Sequence, residues 1–231
     1  MKFLDHVRGE VRILGWLLFI IPVAIMLAFA LLAMMMFVGH VNRDFTAAML
    51  IAGLEACGPL TLGLLMATMA IQDPALELQL TLPVRYRVTM FLRFFLIVVW
   101  TMLVECLATL LLHAILPWVL PKDLLASQLT WLAPTIWFGA SGTILALLLR
   151  NRATCGAVLG FLWLIELAFH GYFAAQAWTQ PWFLFATLYT PTANFWLTNR
   201  LELLATALLL FIVSWWYLGH SEWRFYGEDN S

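Results

Sequence analysis

Residues Gln72 to Arg93 read QDPALELQLTLPVRYRVTMFLR, and this stretch decides how the rest of the chain is placed. It carries charge between two apolar runs without becoming a bare polar loop. Asp73-Pro74 starts a helix, because proline is tolerated at the first helical position and a side-chain oxygen before it caps free N–H groups. Leu76, Leu80 and Val84 then recur at helical spacing with Glu77 in the first turn, until Pro83 disturbs the helix and Arg85, Arg87 and Arg93 follow. The pattern predicts a short amphipathic helix outside a bilayer, then re-entry.

A bilayer is required by composition. The 231 residues are 64% hydrophobic and 11% charged, with mean hydropathy +0.92, whereas a soluble domain averages about a quarter charged residues. A helix needs roughly 20 apolar residues to cross the hydrocarbon, so this length predicts an all-α membrane protein of six spans in a single domain, with no room for a sizeable soluble one. The net charge of −1 and the unclustered basic residues give no reason to expect a nucleic-acid partner. Cys57, Cys106 and Cys155 all fall in predicted spans without metal-type spacing and read as free thiols. The first apolar run is longer than the core of a cleavable signal peptide.

Outward from Gln72–Arg93, the predicted spans are Leu14–Val38, Phe45–Ile71, Val88–Leu116, Leu129–Leu149, Ala153–Phe173 and Leu201–Leu218. Pro22 lies inside the first and Gly58-Pro59 inside the second; both disturb their helices. Residues 1–13 alternate charge with Phe3, Leu4, Val7 and Val11 and predict an amphipathic helix on the membrane surface, or alternatively an extension of the first span. Arg150-Asn151-Arg152 makes a tight hairpin. Of the basic residues, nine fall on the side of the chain ends and three (Arg43, Lys122 and Arg200) on the other, which places both termini in the cytoplasm. Residues 174–200 are too polar and proline-broken to cross, yet contain Trp178, Trp182, Phe183, Phe185, Tyr189, Phe195 and Trp196. Such rings favour a membrane interface. The expectation is two short helices dipping into the outer leaflet, broken at Thr190-Pro191; an amphipathic loop packed on the bundle is the alternative.

Glu77, then Leu80-Thr81-Leu82-Pro83-Val84, then Arg93-Phe94 resembles the first cytoplasmic loop of type-2 ATP-binding-cassette (ABC) exporter permeases. The family more often has a small polar residue and then Arg after the Pro-Val, where this chain has Arg85-Tyr86-Arg87. The resemblance extends to the N-terminal surface helix, the tight hairpin and the aromatic stretch before the last span, where the family carries a re-entrant helical pair. It implies that residues 72–87 form a coupling helix docked in a groove of a separate ATPase, with Asp73, Glu77, Leu78, Leu82, Pro83, Arg85 and Arg87 as the coupling residues. It further implies two permease subunits, the same or homologous, and two ATPase subunits that hold ATP and Mg. No cofactor is expected in this chain itself. With Lys2 and Lys122 as the only lysines, the GxxxxGK[ST] phosphate loop is absent from the sequence.

Glu55, Glu105 and Glu166 lie well inside predicted spans, where an ionisable group costs about 3 kcal/mol or more. Glu166 and His170 are four apart, hence on one helix face, and can satisfy each other. Glu55, Glu166 and His170 are therefore candidates for a polar substrate path or gate; buried carboxylates bonded between helices are the structural alternative. Asn194, Asn199 and Arg200 read as a solvated outer rim. Gly139-Ala140-Ser141-Gly142 is the sequence that rhomboid intramembrane proteases place around their nucleophile. Its only candidate base, His170, lies roughly 14 Å deeper along the bundle at ~1.5 Å per residue, too far for a base that must approach within about 3 Å. Close helix approach explains these small residues better, as it does Gly156 and Gly160. The chain thus reads as an exporter permease without catalytic residues. A passive channel or the substrate-binding membrane module of an importer is the alternative reading, and an intramembrane protease a more distant one.

Overall fold

The computed structural model describes residues 16–71, 86–116, 119–120 and 123–227. Every regular element among them is helical: α1 (Trp16–Val38), α2 (Arg43–Ile71), α3 (Tyr86–Ile115), α4 (Leu124–Leu149), α5 (Arg152–Ala168), α6 (His170–Ala175), α7 (Ala186–Tyr189) and α8 (Trp196–Gly227). A 3-10 turn at Gln180–Trp182 precedes α7. Five helices, α1 to α4 and α8, are long and apolar enough to cross a membrane, which makes this a multi-pass membrane protein. The expected surface helix over residues 1–13 and the coupling residues Asp73, Glu77, Leu78, Leu82, Pro83 and Arg85 lie outside the described residues. Arg87 falls in the first turn of α3.

The helices form because hydrocarbon offers the backbone of these apolar runs no other hydrogen-bond partners, and their ends are marked by capping residues. Asn42 caps α2 by accepting from the Asp44 amide at 3.0 Å, and Asp123 caps α4 by accepting from Leu125 N at 3.2 Å. At the hairpin, Arg150 takes the left-handed conformation (φ 50°) that closes α4, and Asn151 caps α5 through the Thr154 amide. Leu31, Met35, Phe37 and many similar side chains on the outer helices are exposed, as expected where the surrounding solvent is lipid.

At the centre stands α4, which packs most closely on the second half of α2 and on α8; α5 covers α2, and α1 pairs with α3. Apolar burial does little to drive this association in lipid, so close approach must supply the packing energy. A Cβ on Gly142 would run into the backbone carbonyl of Gly63, and one on Gly63 would come within 2.9 Å of the Phe138 carbonyl. The Gly139–Gly142 run is thus the seam along which α2 and α4 touch backbone to backbone. Gly160 does not share that role, because a Cβ there would meet nothing within 4 Å.

Proline disturbs α2 in a specific way. Pro59 has no N–H to give the carbonyl four residues back, that of Glu55, and its ring would press against it. Gly53–Cys57 therefore opens into a π-helical turn closed by Gly58 N–H on the Gly53 carbonyl. The Trp163 indole of α5 donates to the Ala56 carbonyl inside this turn at 3.0 Å.

The predicted fifth span, 153–173, is one apolar run in sequence but two helices in space. α5 stops at Ala168, Phe169 leaves helical geometry (φ −112°, ψ 24°), and α6 follows. A ring nitrogen of His170 bonds the Leu167 carbonyl at 3.0 Å, and its ring stacks on Tyr189 at 3.9 Å. A helix-terminal acceptor is thus satisfied while the chain turns.

Candidate functional site

Residues 176–195 hold one 3-10 turn and one turn of α-helix, in place of two regular helices. Phe183, Leu184, Phe185 and Ala186 have no exposed surface and join the core formed by α2, α4, α5 and α8. The aromatic residues therefore divide: Trp178 and Trp182 point outward, while Phe183, Phe185 and Trp196 fill the bundle. Irregular backbone in such surroundings has a large number of polar groups to satisfy, and each one left bare in hydrocarbon costs several kcal/mol.

The polar side chains of the bundle meet that need. Both Glu55 oxygens are engaged, Oε1 by the Thr187 amide at 2.8 Å and Oε2 by the Leu188 amide at 2.6 Å. Arg200 forms a fully buried ion pair with Glu55. Its guanidinium also donates to the Leu184 carbonyl at 3.0 Å and to the Thr187 hydroxyl at 2.9 Å. That hydroxyl accepts from the Trp196 indole as well, at 2.9 Å. Glu166 accepts the Leu184 amide at 2.7 Å. Asn199 donates to the Gln180 and Phe183 carbonyls at 2.7 and 3.0 Å. Thr179 and Gln180 bond the carbonyls of Phe173, Gln176 and Ala174 at the end of α6. Glu55, Glu166, Asn199 and Arg200 come from three helices, α2, α5 and α8, and converge on one segment.

Several sequence expectations are revised by this geometry. Glu166 and His170 do not pair: the break at Phe169 takes His170 to Tyr189 and leaves Glu166 to the Leu184 amide. Asn199 and Arg200 are not a solvated rim but buried, Arg200 completely; Asn194 alone of the three is exposed. Ser141 is buried, and His170 is occupied with Tyr189 and the Leu167 carbonyl instead of serving it as a base. Glu105, the third intramembrane carboxylate, accepts from the Thr135 hydroxyl at 2.8 Å through Oε2 only. The partnership of Glu55 with Arg200 was signalled only in part: an acidic residue inside a span calls for a basic partner, but Arg200 falls just before the predicted last span. Nothing in the sequence pointed to Thr187 or to Thr135.

This chain matches no family model, no curated protein and no solved structure.

The carboxylates of the cluster receive hydrogen bonds from backbone amides and a guanidinium. The arrangement fixes a chain reversal inside the helical bundle.

Proposed function

We propose that the chain is the transmembrane subunit of an ABC exporter. It moves a hydrophobic or amphipathic substrate out across the cell membrane, as one of a pair of permease subunits served by two copies of a separate ATPase that hold ATP and Mg. The observation that carries this reading is the segment before the last span, which folds back into the bundle on Glu55, Glu166 and Arg200. A re-entrant element at that position is what the resemblance of Gln72–Arg93 implies. Six spans follow if α5 and α6 are taken together, since the 17 residues of α5 alone rise about 25 Å and one further turn brings the pair close to the ~30 Å of hydrocarbon. Removing the buried Arg93 and Arg200 from the tally of basic residues leaves its bias in place, which supports cytoplasmic termini. ATP-driven closure of the two ATPases would push on residues 72–87 and tilt the spans between inward and outward states.

The test is the coupling stretch itself. Leu82→Asp puts a charge where an apolar groove is expected, and an unpaired buried charge costs several kcal/mol. The chain purified from its native membranes is expected to bring with it Mg-dependent ATP hydrolysis. The variant should insert normally yet lose that hydrolysis and the ATP-driven extrusion of a lipophilic dye together. A wild-type chain that passes solute without any associated ATPase would instead be a channel. Binding without flux would indicate an importer's binding module, and peptide cleavage a protease.

A further inference from the structure

Between α1 and α3 lies an open groove of about 480 Å³, within the roughly 300–1,000 Å³ range of small-molecule sites. Met26, Phe29, Leu54, Trp100, Val104 and Ala108 are among its walls, and every lining side chain is apolar or aromatic. Its one side-chain N–H, the Trp100 indole, is already given to the Phe19 carbonyl at 2.9 Å. The groove alone would suit any alkyl chain. What distinguishes it is the carboxylate behind Met26.

Glu105 is wholly buried, and while its Oε2 takes the Thr135 hydroxyl, its Oε1 has no hydrogen-bond partner. Among the described residues no basic side chain pairs with it, in contrast to Glu55, which has Arg200 and two backbone amides. The free oxygen lies against Gly58. The point that a Cβ on Gly58 would occupy is met by Glu105 Oε1 and, at 3.0 Å, by the terminal methyl of Met26. The terminal methyl of Met26, a residue of the groove wall, therefore lies beside the unfilled acceptor. Methionine, unbranched with three rotatable bonds, can swing aside. A cationic donor arriving there would give the carboxylate the counter-charge that the protein does not supply.

We propose that the α1–α3 groove binds a lipophilic amine, its apolar tail along α3 and its ammonium group reaching Glu105 Oε1 past Met26. The site rests on the groove and the half-partnered carboxylate and does not depend on the exporter reading. Binding is measured without nucleotide, so its failure leaves the ATPase test above undecided, and a failed ATPase test leaves the site standing.

The experiment uses the purified full chain in phosphatidylcholine nanodiscs with a diazirine-bearing dodecylamine. Saturable labelling is expected on α1 near Met26 and on α3 between Trp100 and Ala108. Unlabelled dodecylamine should compete roughly ten- to a hundredfold better than dodecanol, the range for a hydrogen bond to a charged group. Dodecanoic acid should compete no better than the alcohol. Glu105→Gln, which keeps the side-chain volume and an acceptor for Thr135, should abolish the preference for the amine. Ala108→Phe fills the groove while keeping the carboxylate and should abolish labelling, so the outcome does not hinge on whether Glu105→Gln folds. Equal competition by amine and alcohol would reduce the groove to a lipid-facing surface and overturn the proposal. So would labelling that maps elsewhere or survives Ala108→Phe.

Discussion

Removing Arg200 would leave the buried Glu55 carboxylate with its two backbone amides but no counter-charge, while removing both charges would strand neither. A broken buried pair costs about 3–5 kcal/mol, whereas its replacement by neutral groups is far milder. Arg200→Met should therefore destabilise the chain by about that amount, and Glu55→Gln combined with Arg200→Met by less than Arg200→Met alone. Thermal unfolding of the single and double variants in one detergent reads the coupling; strictly additive effects would show that the two residues act independently. Two glycines offer a second comparison at this scale. Gly142→Ala drives a methyl into the Gly63 carbonyl, a backbone atom that cannot move alone, and should cost about 1–3 kcal/mol. Gly160→Ala meets open space and should gain up to about 1 kcal/mol from helix propensity. The same melting measurement checks both; equal effects would refute the assignment of Gly142 to the α2–α4 seam.

At the scale of the element, the informative piece is 176–195, a segment with only two short helical turns that is nevertheless built into the bundle. Its amides at Leu184, Thr187 and Leu188 bond carboxylates on α2 and α5. They should exchange hydrogen for deuterium much more slowly than the amides of Ala177 and Trp178, which lie at the exposed edge. Arg200→Met should speed exchange across residues 184–188 as a block, because the guanidinium bridges Glu55, Thr187 and Leu184 together. Unchanged protection in that variant would mean that aromatic packing alone holds the segment.

For the whole molecule, the arrangement of long helices around α4 makes a prediction about sidedness. α2 and α3 are joined through residues 72–85, and the reversal at 176–195 follows α5, so six spans put these two connections on opposite faces of the membrane. A cysteine at Glu77 should react with a membrane-impermeant maleimide only in inverted vesicles, and one at the exposed Gln176 only in right-side-out vesicles. Cys155 is buried and Cys57 and Cys106 are half-buried in the helices, so the native thiols should give a low background. Labelling of both positions from one side would remove α5 and α6 as a span and leave the five long helices as the whole crossing set.

Local chemistry was enough to determine the five long helices. Runs such as Trp16–Val38 and Leu124–Leu149 have no other way to satisfy their backbone in hydrocarbon, and the caps at Asn42, Asp123 and Asn151 lie within a few residues of the amides they serve. The glycine seam was legible for a similar reason, since small residues in a span have few uses besides close approach. Composition also made clear that residues 174–200 are not an ordinary loop. Where that segment goes was decided by contacts that local patterns do not encode. Glu55 reaches amides 132 and 133 positions away and a guanidinium 145 away. The i, i+4 rule that joined Glu166 to His170 fails because it assumes an unbroken helix, and the stacking of His170 on Tyr189 accompanies the turn that breaks it. The sequence alone determined that the membrane holds polar groups in need of partners; tertiary structure chose those partners, because a buried charge is satisfied by whichever group the packing brings within about 3 Å.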